Sequence, residues 1–134
     1  MGTALAQQAD FPNGGDCFMI SANTLLDHAT GWNKAMILAE LSELTLAHGV
    51  VSGRGPLQGV RFSHGWIEGV RDGLRWAVDL SNGKQVAVPV ELYYALGHIR
   101  SNEVTHYTAS EARRRLVDHA HYGPWEGAAL AVGL

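Results

Sequence analysis

One cysteine, one histidine and one aspartate of this chain have the residue types and the chain order that nucleophilic catalysis at a carbonyl needs. Cys17 follows the loop-forming residues Asn13–Asp16, His64 lies in the segment Arg61–Glu68, and Asp79 comes later in the chain. In such a set the histidine takes the proton of the thiol, and the carboxylate orients the imidazole. We therefore take Cys17, His64 and Asp79 as the candidate catalytic residues.

The residues around His64 and Asp79 predict a β-hairpin. Val60–Gly69 and Leu74–Leu80 form its two strands, and Arg71-Asp72-Gly73 supplies the tight turn between them. Because side chains alternate between the faces of a strand, folding the chain at this turn places Asp79 roughly opposite His64. We expect the pair near the open end of the hairpin.

His64 is expected to share one face of its strand with Trp66 and Glu68, which follow it at intervals of two residues. We interpret Trp66 and Trp76 as core residues that also line the walls of a cleft. Glu68 is expected to face solvent or to pair with an arginine.

Cys17 is predicted to lie in the first turn of a helix that continues over Phe18–His28, with Asp16 as its N-cap. The free N–H groups and the positive end of the helix dipole favour a thiolate at this position. The same N–H groups can receive an oxyanion, and Asn13 is the side-chain candidate for a further donor. A plain turn role is the alternative for Asn13.

Each of these residues also has a structural interpretation. A single cysteine is more often a small buried hydrophobe than a nucleophile, and Cys17 is the only one in the chain. Asp79 could simply cap the turn that contains Asn82, and Asn82 competes with it as third member because a neutral amide also orients an imidazole. We prefer Asp79.

The pattern Asp16-Cys17-Phe18, His64-Gly65-Trp66-Ile67-Glu68 and Trp76-Ala77-Val78-Asp79 resembles the transglutaminase-like branch of the papain-like cysteine enzymes. Members of that branch carry Cys, His and Asp in this chain order, with a His-Ala-Trp-Val-Glu strand. Small phage and bacterial proteins with the same arrangement are also similar. Gly65 takes the place of the usual alanine, and the resemblance covers about residues 13–97.

The resemblance implies a papain-like α+β fold, in which an N-terminal helix bearing the nucleophile packs on a small antiparallel sheet, with a C-terminal helix after it. It also implies hydrolysis of an amide or thioester, or acyl transfer from it, with a peptide or protein amide as substrate. A papain-like domain that binds a partner without catalysis, such as a phage-encoded accessory protein, is the alternative.

The composition sets further bounds. A chain of 134 residues predicts one domain, and a net charge of −3 lacks the basic patch typical of nucleic-acid binding. No apolar run approaches the ~18 residues that a membrane span needs, and Met1–Ala9 does not resemble a secretory signal. One cysteine excludes an internal disulfide and suits a reducing compartment, so we expect a cytoplasmic protein without membrane or nucleic-acid partners.

We divide the chain into a loosely held N-terminus (residues 1–10), a single α+β domain (11–126) and an apolar C-terminal tail (127–134). Hydrophobic periodicity and turn residues predict the remaining elements of the domain. These are a helix over Lys34–Leu44, strands over Leu44–Gly53, Gln85–Val88 and Glu103–Tyr107, a hairpin turn at Ser81–Lys84, and helices over Val90–Leu96 and Ala109–Ala120.

The seven histidines raise the question of a metal site. Cys17, His48, His64 and Asp79 would form a mixed zinc set, and His119-Ala120-His121 offers another pair. None of them has a metal-ligand spacing such as His-Glu-x-x-His or paired Cys-x-x-Cys. We therefore expect neither a metal nor another cofactor.

Overall fold

The structure, a computed structural model, describes residues 16–53 and 55–132. The predicted loose N-terminus and Asn13 lie outside these residues. The fold is α+β, with a five-stranded antiparallel sheet in the order β4-β3-β2-β1-β5. In chain order the elements are α1 (Cys17–Thr30), β1 (Ser42–Ser52), β2 (Arg61–Arg71), β3 (Leu74–Asp79), β4 (Val86–Pro89), α2 (Val90–Gly97), β5 (Thr105–Tyr107), α3 (Ala109–His119) and α4 (Ala128–Ala131).

Helix α1 begins at Cys17, as predicted, and ends where Gly31 adopts the left-handed conformation with φ 79°. Asp16 occupies the N-cap position, as predicted, although its side chain makes no capping hydrogen bond to the described helix. The predicted helix over Lys34–Leu44 is wrong. Only Met36–Leu38 forms a 3₁₀ turn, and β1 already pairs with β2 at Ser42, so tertiary pairing overrides the local preference for helix.

The predicted hairpin of β2 and β3 is present, with a two-residue turn at Asp72 and Gly73. Both turn residues have positive φ (53° and 76°), which matches the twist of the strands. Pairing runs from the turn to Ile67 and Val78. Continuing that register places Asp79 level with Trp66, so Asp79 is offset by two positions from His64 and does not lie opposite it.

The sheet separates two apolar clusters. One packs against α1 and includes Leu25, Leu46 and Ile67. The other contains Phe62, Trp66 and Ala77, and two tyrosines of α2 pack against it. The face of the sheet that carries His64 and Asp79 is therefore covered by α2, whereas α1 covers the opposite face.

The C-terminal half follows local sequence cues closely. Helix α2 starts directly after Pro89, and α3 has a reciprocal capping box between Thr108 and Glu111, as predicted. The turn after β3 is a 3₁₀ turn at Ser81–Gly83 rather than a tight hairpin turn. The predicted apolar tail includes the short helix α4, which contacts β1 and β2. Among the residues described, we find no helix with the length and apolar character to cross a membrane.

Candidate active site

The start of α1 lies close against the middle of β2. A Cβ atom on Gly65 would come within 2.9 Å of the Phe18 side chain, and the Ser21 hydroxyl donates a hydrogen bond of 3.2 Å to the Gly65 carbonyl. Helix α1 also contacts the turn at Ser81–Gly83 that follows β3. Glycine at position 65 thus allows the helix that begins with Cys17 to approach the strand that carries His64. The Cys17 side chain is buried, with 2% exposed.

His64 and Asp79 are in direct contact. The distance between His64 Nε2 and Asp79 Oδ2 is 3.0 Å, and His64 is buried. Asp79 Oδ2 also accepts a hydrogen bond of 2.6 Å from the Tyr93 hydroxyl. Asp79 Oδ1 accepts two more from Ser81, one from its main-chain N–H (2.9 Å) and one from its hydroxyl (2.7 Å). The carboxylate is therefore held in one orientation by donors on both oxygens.

These contacts keep Asp79 ionised. Burial alone would raise the pKa of its carboxyl group, but the hydrogen bond and charge of His64, with the donors Tyr93 and Ser81, lower that pKa well below its usual range. An ionised carboxylate is the form that holds an imidazole in one tautomer and stabilises its protonated state.

Cys17 also influences His64. Burial lowers the pKa of His64, but the charge of Cys17 and the contacts of Asp79 outweigh it and raise the pKa to about 10. Because Nε2 faces Asp79, Nδ1 is the nitrogen left for the thiol. It is buried without a hydrogen bond of ordinary geometry, so Cys17 acts mainly through its charge. Such contacts often tighten only when substrate binds.

Trp66 lies beside His64 on the same face of β2, with the two rings stacked at 6.0 Å between centroids. Its indole N–H donates a hydrogen bond of 2.9 Å to Glu68 Oε2. Trp76 projects from the opposite face of the sheet, because its partner in the register is Gly69 and not a residue on the His64 side. Trp66 is thus the tryptophan that limits the movement of the imidazole.

Of the two alternatives predicted for Glu68, the pairing with an arginine is the one that the structure shows, and the carboxylate is completely buried rather than facing solvent. Its carboxylate accepts hydrogen bonds from Arg75 (2.7 Å), His106 (2.9 Å) and Tyr94 (2.6 Å), besides Trp66. Burial raises the pKa of Glu68, but these donors outweigh it and lower the pKa to about 2. Strand alternation placed Glu68 on the face of His64, and that was the one local sign of its burial.

Two other candidates play no described part. Asn13 lies outside the described residues. Asn82 lies within the 3₁₀ turn, and its side chain is likewise outside what the structure describes. Ser81, in the same turn, binds Asp79 and was not predicted from the sequence. A serine two residues after an aspartate at a strand end is a common turn pattern, so the local sequence does not mark Ser81 as part of a site. Only the hydrogen bond between Asp79 and His64 does so.

His48 is a packed core residue. Its imidazole contacts the rings of Phe18, Tyr107 and Trp125, and neither ring nitrogen has a hydrogen-bond partner among the residues that the structure describes. Burial, and then the charge of His64, lower its pKa to about 3, so it is neutral near pH 7. Within residues 16–53 and 55–132, no three His, Cys, Asp or Glu side chains are placed to hold a metal ion.

A cavity of about 350 Å³ reaches the His64–Asp79 pair on the face that α2 covers. Ser81 and Tyr93, which bind Asp79, also line it, whereas Cys17 does not. A space of this size next to buried, oriented polar groups is typical of a small-molecule or side-chain binding pocket.

A scan against protein-family models finds no match to this chain, and searches of curated proteins and of solved structures find no significant one. The resemblance to the transglutaminase-like branch therefore stays a prediction that rests on the residues quoted above. What the site can do follows from its own contacts.

Proposed function

We propose that the protein is a thiol enzyme that hydrolyses an amide or thioester, or transfers its acyl group, using Cys17, His64 and Asp79. One observation carries this proposal: His64 is hydrogen-bonded to the carboxylate of Asp79 through Nε2, while its other nitrogen is left for a cysteine at a helix start. A papain-like, transglutaminase-like fold is part of the proposal, and the α+β arrangement supports it.

In this mechanism Cys17 and His64 share one proton, which lies on the imidazole. The raised pKa of His64, to about 10, supports such a thiolate–imidazolium pair. The sulfur attacks the carbonyl carbon of the substrate, and the carbonyl electron pair moves onto oxygen. When the oxyanion collapses, the bond to the leaving nitrogen or sulfur breaks, and His64 gives its proton to the leaving group.

The second half of the reaction regenerates the thiol. Water attacks the acyl-cysteine with His64 as base, which gives hydrolysis, or an amine attacks it, which gives acyl transfer. Asp79 keeps Nε2 protonated throughout and therefore directs Nδ1 to the sulfur. The free N–H groups in the first turn of α1 are the expected oxyanion donors, and Asn13 remains a predicted further one.

Alkylation of Cys17 by iodoacetamide across pH tests this proposal. At mildly acidic pH, His64→Ala should lower the rate of alkylation by about 100-fold or more, because His64 no longer takes the proton of the thiol. Mass spectrometry gives the modified fraction, and circular dichroism confirms that the variant is folded. Equal rates for the two proteins at every pH would contradict a reactive pair.

A second candidate function is a binding module that keeps this fold without catalysis. The observation that favours it is the burial of Cys17, which is only 2% exposed. A buried thiol that contacts nothing reactive is inert. If the folded native chain resists iodoacetamide while the urea-unfolded chain reacts, the binding module becomes the better interpretation.

A further inference from the structure

The cavity at the His64–Asp79 pair is lined mostly by apolar side chains. They come from β1, β2 and β4, from α2 and from the segment after it: Val51, Phe62, Val86, Val88, Leu96 and Ile99. Phe62 and His64 are buried, whereas Val86 and Leu96 are partly exposed (38% and 50%). The cavity therefore opens to solvent near β4 and α2 and ends at the imidazole.

The carboxylate at the inner end of the cavity already has its full set of hydrogen bonds. Asp79 accepts hydrogen bonds from His64, Tyr93 and both donors of Ser81. A carboxylate has about four lone-pair sites, so these four bonds leave Asp79 no capacity for a ligand. Lys84 also lines the cavity, but it is exposed. The inner space thus offers apolar contact and little hydrogen bonding.

We infer that this cavity holds an apolar acyl group of the substrate, which rests on the function proposed above. Cys17 does not line the cavity, but His64, the residue proposed to share its proton, lies at the inner end of it, so an acyl group bound there is next to the catalytic imidazole. At about 30 Å³ for a water-sized group, its volume accommodates roughly ten non-hydrogen atoms, the size of a short aliphatic chain or one aromatic side chain.

The probes are the p-nitrophenyl esters of acetate, butyrate and hexanoate, which differ only in the acyl chain. Cys17 Sγ attacks the ester carbonyl, its proton goes to His64, and the C–O bond breaks to release p-nitrophenolate, which is followed by absorbance. Each rate is divided by the rate of the same ester with a small free thiol. We expect up to about a fourfold rise for each methylene group that becomes buried, and at least about tenfold from acetate to hexanoate.

Two neighbouring variants on β4 test where the chain binds. Val86 pairs with Asp79 and lines the cavity, whereas Ala87, the next residue, projects to the other side of the strand and is exposed. Val86→Trp fills the cavity and should remove the preference for hexanoate. Ala87→Trp adds the same side chain outside it and should keep the preference.

The outcomes separate this inference from the proposed function. If all three esters acylate Cys17 in a His64-dependent way at equal relative rates, the enzyme proposal stands and the acyl pocket is wrong. If no ester reacts faster than with Cys17→Ser, the proposed function fails. Whether the cavity is an apolar pocket is then tested by NMR titration of Cys17→Ser with hexanamide. Shifts at Phe62 and Val88 that acetamide does not cause would retain an apolar pocket, and their absence would eliminate it.

Discussion

Two carboxylates lie on the same face of the sheet, Glu68 fully buried and Asp79 partly buried, and their surroundings are alike in most respects. Asp79 binds His64 and Tyr93, and Glu68 binds His106 and Tyr94. The two tyrosines are adjacent on α2, so one short helix is attached to the sheet through both acids. We call these groups the Asp79 centre and the Glu68 centre.

The two centres differ in what balances the negative charge. Glu68 is paired with the guanidinium of Arg75, and the side chain of its histidine partner, His106, is 37% exposed. Within residues 16–53 and 55–132, Asp79 has no arginine among its hydrogen-bond partners, and the side chain of its histidine, His64, is only 9% exposed. Among these residues the charge of Asp79 is thus balanced by His64, whose pKa is also raised by Cys17. This difference indicates that Glu68 stabilises the fold, whereas Asp79 controls a proton.

Asp79→Asn should give the largest effect on chemistry. The amide keeps the shape but cannot hold a protonated imidazole, so acylation of Cys17 by p-nitrophenyl acetate should fall by about 10³-fold. Glu68→Gln is the matched change at the other centre, and its acylation rate per folded molecule should fall by less than about tenfold. Equal losses in the two variants would mean that the centres do not divide these roles.

Glu68→Gln should instead give the larger loss of stability. It leaves Arg75 and His106 beside a neutral amide in a buried setting, so the free energy of unfolding should fall by about 3 kcal/mol. Urea denaturation near pH 7 measures this change. A loss as large in Asp79→Asn, or no loss in Glu68→Gln, would contradict a structural role confined to the Glu68 centre.

Acid should remove the contribution of the Glu68 centre. The pKa of Glu68 is about 2 in the folded protein against 4.5 normally, so its contribution is complete above pH 4.5 and is lost as pH falls towards 2. The difference between the native chain and Glu68→Gln should shrink over that range. His48, with a pKa lowered to about 3, should cause an earlier loss in both proteins below pH 6.5. Urea denaturation at several pH values measures both effects.

The local parts of this site could be predicted from the sequence. The start of α1 at Cys17, the hairpin turn at Asp72-Gly73 and the shared face of His64 and Trp66 follow from turn residues and strand alternation. The offset of Asp79 was misjudged, although the two-residue turn at Asp72-Gly73 fixes a register in which Asp79 is level with Trp66. Alternation alone gives the face but not the register.

The hydrogen-bond partners of the two carboxylates could not be predicted from the sequence either, for a different reason. Tyr93 and Tyr94 reach Asp79 and Glu68 only because α2 folds back over the sheet, and His106 arrives from β5 at its far edge. These contacts depend on how elements pack after they form. Strand alternation gives the face of Glu68 but not its depth, so the sequence left open whether it faces solvent or pairs with an arginine.

The smallest predicted effect comes from the most closely matched pair of variants, in which the same change is made at two adjacent residues. Tyr93→Phe and Tyr94→Phe each remove one hydroxyl that donates to an ionised carboxylate, and each should cost about 1.5 kcal/mol of unfolding free energy. Only Tyr93 shares Asp79 Oδ2 with His64. Without that donor the oxygen interacts more strongly with the imidazole, so the pKa of His64 should rise by a fraction of a pH unit.

NMR titration of the His64 ring, with the two variants compared against the native chain, measures that shift. Tyr94→Phe should leave the titration of His64 in place, since its hydroxyl binds Glu68. A merely structural tyrosine at position 93 would lower stability without moving the pKa of His64. If both variants move it equally, the helix as a whole orients the Asp79 centre. If neither does, Tyr93 has no part in setting the protonation of His64.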